Sequence, residues 1–170
     1  MKTIATIGYE GAAPEAFDAA LEKAGVELVV DVRAMALSRR PGFSKTVLSD
    51  RLRRLGLDYV HLRGLGDPKA GRDAARAGDI TLFRKNFSRH LETQVAQADL
   101  ETLRTLAAKK RVVLLCYEAD AAACHRTIVA NSIAKSENWS IVHLNVEQGQ
   151  SASRGRSRTN HNSREGVAAA

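Results

Sequence analysis

The sequence predicts a single α/β domain of three layers, in which a mainly parallel five-stranded sheet is flanked by helices. Short runs of β-branched and aliphatic residues alternate with segments that carry apolar side chains at helical spacing. In addition, almost every polar cluster of the domain directly follows a predicted strand. Because right-handed crossovers keep such strands parallel, their carboxyl ends are expected to open at one edge of the sheet.

The strands are predicted from apolar runs that end abruptly in turn or polar residues. They cover residues 3–7, 26–32, 57–62, 112–116 and 139–146. The run at 112–115, Val-Val-Leu-Leu, is uninterrupted and is typical of a strand buried on both faces. It breaks into Cys116, Tyr117 and Glu118, so a strand, a polar loop and a helix are expected to follow one another.

Helices are predicted between these strands from apolar periodicity and end signals. Pro14 begins the first helix and Gly25 ends it, while Ser44 is the expected N-cap of the second, which Gly56 closes. Further helices are predicted from Ile80 through residue 91, through residues 100–106, and over residues 121–134. Residues 34–45 have turn chemistry and predict a loop, and residues 71–79 are only weakly patterned.

Length and composition limit the organisation to one domain with a tail. The chain has 170 residues, of which 44% are hydrophobic, enough for one sizeable core and too short for two ordinary domains. We expect the domain to cover residues 1–148. Residues 149–170 are rich in Ser, Arg, Gly and Asn and predict a disordered basic tail.

The same features indicate a cytoplasmic protein. No apolar run approaches the roughly 20 residues that a membrane-spanning helix needs, and the first residues lack a signal peptide. Two cysteines in such a chain predict free thiols. We expect no membrane association and no cofactor, and the oligomeric state stays open.

Positive charge is unevenly placed. Of the net charge of +7, the tail carries +3, with four Arg and one Glu. Within the domain, residues 38–54 hold six basic residues and one acidic residue. Such a field attracts small anions, phosphates or nucleic acid, although a solvated helix face also accounts for part of it.

Five ordered motifs resemble the domain of unknown function 488 family, over roughly residues 3–146. They are Thr6-Ile7-Gly8-Tyr9-Glu10-Gly11, Asp31-Val32-Arg33, Ser38-Arg39 with Pro41-Gly42-Phe43-Ser44-Lys45, Tyr59-Val60-His61-Leu62 with Leu65-Gly66, and Cys116-Tyr117-Glu118 with Cys124-His125-Arg126. The resemblance implies an α/β fold and a polar pocket shared by these motifs, with no settled activity. Asp67 stands where a second glycine is usual in that family.

The candidate site lies at the carboxyl edge of the sheet. For proton transfer or other chemistry, the candidates are Glu118, His61, Cys124 and His125. The candidates for ligand binding are Tyr9, Glu10, Gly11, Asp31, Arg33, Ser38, Arg39, Phe43, Lys45, Cys116 and Arg126. The basic members suit a phosphate or carboxylate, which predicts a phosphate-bearing nucleotide or a nucleic-acid end as ligand. Each candidate residue could instead have a structural role, in an ion-pair network or in packing a loop against the sheet.

Three other interpretations are weighed against this pocket. Residues 38–54 and the tail would suit a nucleic-acid binding module without catalysis. Asp31-Val32-Arg33 and Cys116 are placed as in rhodanese-like sulfurtransferases, but Glu118 and Asp120 would repel an anion there. A metal site is not expected, because the adjacent Cys124 and His125 should not both point at one ion.

Overall fold

The sheet is five-stranded and entirely parallel, which confirms the predicted fold class. The computed structural model describes residues 2–147. Its strands are β1 (Thr3–Gly8), β2 (Leu28–Asp31), β3 (Asp58–His61), β4 (Val112–Cys116) and β5 (Ser140–Leu144). Their order across the sheet is β3-β2-β4-β1-β5. The uninterrupted apolar run of β4 therefore occupies the centre, where all five of its residues are buried.

Six α-helices connect the strands. They are α1 (Pro14–Lys23), α2 (Lys45–Arg54), α3 (Lys69–Arg76), α4 (Ile80–Leu91), α5 (Gln94–Lys109) and α6 (His125–Glu137), with a short 3-10 turn at Arg63–Leu65. Pro14 begins α1, as predicted. Ser44 does precede α2, but its hydroxyl bonds the backbone of Ser38 and does not cap the helix.

The helices bury two separate cores, one on each face of the sheet. Side chains of α1 and α2, such as Phe17 and Leu48, pack with Val29 and Leu115 on one face. Helices α3 to α6 cover the other face, where Phe87 belongs to a larger core. Because successive side chains of a strand point to opposite faces, the central strands supply both cores, and the domain has three layers.

The structure adds one helix and places the start of another at residues 124–126, which the sequence also indicates. Residues 71–79, weakly patterned in sequence, belong largely to α3, whose buried positions are only Gly71 and Ala74. Such small side chains give no detectable apolar stripe, which explains the missed helix. Helix α6 begins at His125 and not at residue 121, because Asp120 accepts a hydrogen bond from the Ala122 amide and forms a turn before the helix.

The parallel register places four strand ends in one row. Gly8 is paired with Cys116, Asp31 with Leu115, and Asp31 with His61. The expected gathering of polar motifs at the carboxyl edge follows directly from this register. No helix among residues 2–147 is long and apolar enough to cross a membrane. The predicted tail lies outside the described residues.

Candidate functional site

A cavity of about 600 Å³ opens at the carboxyl edge of the sheet. Its wall comes from the loops after β1, β2 and β4 and from α3. The described residues that line it include five arginines, Arg33, Arg39, Arg40, Arg72 and Arg76. Two carboxylates, those of Asp67 and Glu118, also line it. The cavity is therefore strongly cationic and large enough for a nucleotide-sized ligand.

Four chemically reactive side chains cluster at its floor: those of Cys116, Glu118, Cys124 and His125. One ligand atom from each lies within 4.8 Å of the others. The Cys116 and Cys124 thiols both donate to Glu118 Oε2, at 3.0 and 3.1 Å. Cys116 comes from the end of β4, whereas Cys124 and His125 begin α6, so the strand-to-helix connection brings the set together.

His125 is held in one orientation by the backbone. Its Nε2 lies 2.8 Å from the carbonyl oxygen of Val32, which can only accept, so this nitrogen carries the proton. Its Nδ1 lies 3.7 Å from the sulfur of Cys116 and 4.0 Å from that of Cys124. The Cys116 sulfur also lies 3.9 Å from Nε2, so it contacts both ring nitrogens, whereas the Cys124 sulfur contacts Nδ1.

The cluster does not contain a free thiolate nucleophile. Burial raises the pKa of both thiols, most strongly that of Cys124, to which the Cys116 sulfur contributes. Burial alone would raise the pKa of Glu118, but the hydrogen bonds from the two thiols hold it below its ordinary value. Protonated thiols beside a carboxylate disfavour the rhodanese-like interpretation, which needs an ionised sulfur.

The expectation that the adjacent Cys124 and His125 would not both point at one ion is wrong. Cys124 has extended backbone at the N-cap of α6, with φ −119° and ψ 142°, and His125 is the first helical residue. This change of backbone conformation between neighbours directs both side chains toward Cys116. The geometric objection to a shared ion is therefore removed.

Arg33 lies in the cavity wall, but its guanidinium is already bound to protein groups. It donates from Nε and Nη2 to the Asp31 carboxylate at 2.8 and 2.6 Å. Its Nη1 donates to the Tyr9 hydroxyl at 2.9 Å and to the Phe43 carbonyl at 2.8 Å. Burial alone would lower the pKa of Arg33, but the bonds to Asp31 raise it. Asp31 also accepts from Tyr59, so this network ties the loops after β1 and β2 to strand β3.

Arg126 and Glu10 support the loop of residues 117–124. Arg126 is 1% exposed and donates to the Glu118 and Ala119 carbonyls and to the Thr6 hydroxyl. Glu10 accepts a hydrogen bond from the Ala119 amide at 3.0 Å. Both side chains thus bind backbone groups of the loop that carries Glu118.

Of the other predicted site residues, some line the cavity and some do not. Arg39, Ser38 and Cys116 line the cavity, as does Tyr9. Tyr9 nevertheless stacks on Phe43, with ring centroids 4.4 Å apart, so neither ring is free to flank a ligand base. The remaining three predicted residues, His61, Lys45 and Gly11, are not among the lining residues, and the His61 ring bonds the Arg33 carbonyl oxygen.

Comparison with known proteins gives one positive result. The family model described as "Domain of unknown function DUF488" matches residues 13–133. The chain belongs to the DUF488 family. No curated protein and no solved structure matches it significantly.

Several lining residues of this DUF488 domain were not among the site candidates from the sequence. They are Arg40, Asp67, Arg72, Arg76 and Tyr117. Arg72 and Arg76 are four residues apart and so share one face of α3, but that pattern is informative only once the helix is known. Burial raises the pKa of Asp67 to about 6, partly offset by His125 and Arg72. Tyr117 is 42% exposed and is the aromatic ring available to a ligand.

Proposed function

We propose that the cavity binds a phosphate-bearing nucleotide, with its phosphate at the arginine rim. The observation that carries the proposal is the set of arginines that line the cavity. Arg39 and Arg76 are exposed at the opening, and Arg40 and Arg72 are half-buried beside them. Guanidinium groups bind phosphates through paired, charge-assisted hydrogen bonds.

We therefore assign the phosphate to arginines that differ in part from those predicted from the sequence. Of the four phosphate-binding candidates from the sequence, Arg33, Arg39, Lys45 and Arg126, two are already engaged: Arg33 and Arg126 bind protein carboxylate, hydroxyl and carbonyl groups. Arg39 and Arg76 line the cavity and are exposed, and within the described part of the chain Arg76 makes only a 3.7 Å surface ion pair with Asp73. One buried atom of a lining residue, Arg40 Nε, has no partner among residues 2–147, and a phosphate oxygen would supply the acceptor that it lacks.

The wall near Tyr117 suits the base of such a ligand. The Tyr117 ring packs edge-on against the Tyr9 ring, with centroids 5.4 Å apart, and this contact holds it in place. Met35 and Leu37 also line the cavity and are 59% and 72% exposed. An exposed aromatic ring with apolar neighbours, facing a cationic rim, is the combination that stacking on a nucleobase requires.

The basic segment of residues 38–54 gives less support to a nucleic-acid module. Arg40 donates to the Ala12 carbonyl, and Arg51 bonds Asp18 and the Gly42 carbonyl. Arg53 pairs with Asp50 on the exposed surface of α2. These charges therefore point to different places and do not form one continuous surface for a phosphate backbone.

Groups on the floor can exchange protons with a bound nucleotide. Glu118 lines the cavity as an ionised carboxylate, and His125 lines it beside Glu118. Nucleotide binding should therefore depend on the arginines of the rim. Any turnover of the nucleotide should depend on Glu118 and His125 at the floor. The Glu118→Gln variant is accordingly expected to bind nucleotide and to lose any turnover.

Isothermal titration of the full chain with ribonucleoside mono- and triphosphates tests the proposal. The Arg39→Ala/Arg76→Ala variant should bind at least about tenfold more weakly, since each charge-assisted contact contributes about 1.5–3 kcal/mol. The matched control, Arg53→Ala/Arg54→Ala, removes the same charge from the exposed surface of α2 and should bind as the wild type does. Absence of nucleotide binding, or equal weakening in both variants, contradicts the proposal.

A further inference from the structure

We propose that Cys116, Glu118, Cys124 and His125 bind one thiophilic divalent metal ion, best satisfied by zinc(II), at the cavity floor. The juxtaposition is compact, because the four ligand atoms lie within 4.8 Å of one another. Two sulfurs, one imidazole nitrogen and one carboxylate oxygen form a four-ligand set that suits tetrahedral zinc. Oxygen-preferring ions such as Mg²⁺ and Ca²⁺ are disfavoured by the two sulfurs.

The orientation of His125 supports the assignment independently of the distances. Metal-binding histidines donate their second ring N–H to a carbonyl or carboxylate, which fixes the ring and its tautomer. His125 Nε2 donates to the Val32 carbonyl oxygen at 2.8 Å. Nδ1 is thereby left to bind an ion, with the Cys124 sulfur 4.0 Å away and the Cys116 sulfur 3.7 Å from Nδ1 and 3.9 Å from Nε2.

The Glu118 carboxylate already brings the two thiols together through hydrogen bonds. Both thiols donate to the same carboxylate oxygen, Oε2, so their hydrogens point at one place. On binding, each sulfur exchanges its S–H bond for a bond to the ion, and both protons pass to solvent. Nδ1 likewise gives up any proton it carries. No oxidation state changes, and no further reactant is needed.

Burial and supporting contacts favour a permanent site. Cys116, Cys124 and His125 are between 2% and 5% exposed. Arg126 fixes the backbone of the loop through the Glu118 carbonyl, and its positive charge offsets part of the negative charge of two thiolates and a carboxylate. Cys116, Glu118 and His125 line the cavity, so the ion would lie within reach of a bound ligand. With the ion bound, Glu118 and His125 are its ligands, so the proton exchange proposed above belongs to the metal-free chain.

Cobalt(II) titration of the metal-free full chain tests the site directly. The wild type should develop strong visible d–d bands and a thiolate-to-cobalt charge-transfer band that saturate at one ion per chain. Cys116→Ser and Cys124→Ser should each lose about half of the charge-transfer intensity, because one of two thiolates is removed. Glu118→Gln should weaken cobalt binding by at least about tenfold. The matched control Glu22→Gln alters an exposed glutamate on α1 and should leave the spectrum unchanged.

A second measurement keeps the inference testable if a cysteine variant does not fold. Elemental analysis of the wild-type protein incubated with zinc and desalted should give one zinc per chain. A weak octahedral cobalt spectrum in the wild type overturns the site. So does a Cys116–Cys124 disulfide, seen as loss of two hydrogens by mass, that forms despite saturating zinc. The inference does not rest on nucleotide binding, since Arg39→Ala/Arg76→Ala should keep the full cobalt spectrum.

Discussion

Asp31 and Arg33 form a bidentate ion pair between two nearly inaccessible side chains. The shorter contact, between Arg33 Nη2 and Asp31 Oδ2, is 2.6 Å, and the two side chains are 5% and 0% exposed. Because Nη1 also donates to Tyr9 and Phe43, the pair joins the loop after β1 to both ends of the loop between β2 and α2. In this structure Asp31-Val32-Arg33 therefore holds the cavity wall in place.

Replacing Arg33 by Ala should destabilise the fold by roughly 3–5 kcal/mol, because the Asp31 charge would remain buried without its partner. Urea unfolding followed by circular dichroism measures the change. Arg53→Ala, which breaks the exposed Arg53–Asp50 pair, is the control and should change the unfolding free energy little. An Arg33→Ala protein with the wild-type urea midpoint would contradict the structural role.

Asp67→Asn should change how stability depends on pH. Burial raises the pKa of Asp67 from 3.8 to about 6 in the folded protein. Between pH 3.8 and pH 6 the folded state binds the Asp67 proton more tightly than the unfolded state does. The contribution of Asp67 to the unfolding free energy therefore falls as pH rises. That contribution amounts to about 3 kcal/mol in all, and it is lost by about pH 6.

The difference in unfolding free energy between Asp67→Asn and wild type isolates this contribution. Any constant effect of the amide cancels when the difference is followed from pH 4 to pH 8. The variant should gain stability relative to wild type across that interval, with most of the change below pH 6. A difference that is independent of pH would show that Asp67 is not held in its protonated form by burial.

Tyr117→Ala should weaken nucleotide binding selectively. The ring lines the cavity and is 42% exposed, so its removal should cost little folding stability. Stacking on a base contributes about 1–3 kcal/mol, which predicts roughly a 5- to 150-fold loss of affinity for ribonucleotides. Inorganic pyrophosphate, which has no base, is the control ligand and should bind equally well to both proteins. Equal losses for both ligands would contradict the stacking role.

The sequence was most informative where one strand or helix determines the pattern by itself. The apolar run of β4 predicted the central strand, and the break after it located the floor of the cavity at Cys116 and Glu118. Parallel strands then brought Gly8, Asp31 and His61 to the same edge. These predictions needed only local periodicity and the handedness of crossovers.

What the sequence could not supply was the partner of each polar side chain. Arg33 and Arg39 look alike in sequence, but Arg33 is buried against Asp31 while Arg39 is exposed at the cavity. Likewise, the stacking of Tyr9 on Phe43 joins residues 34 positions apart. Helix α3 was missed because its buried face consists of Gly71 and Ala74, and with it the cationic contribution of Arg76.

Gly8 is a position where a single methyl group should disturb the site. A Cβ there would lie 1.8 Å from the carbonyl oxygen of Glu118, a backbone atom that Arg126 also binds. Because neither group can yield locally, Gly8→Ala should displace the loop of residues 117–124 and destabilise the protein by roughly 1–3 kcal/mol. The displacement should also separate Glu118 from the two sulfurs and reduce the cobalt charge-transfer band. Gly56→Ala is the control, because its Cβ would meet nothing within 4 Å and any cost comes from its φ of +74° alone. If both variants keep the wild-type cobalt spectrum and unfold alike, the close approach of Gly8 to Glu118 does not hold the floor of the cavity in place.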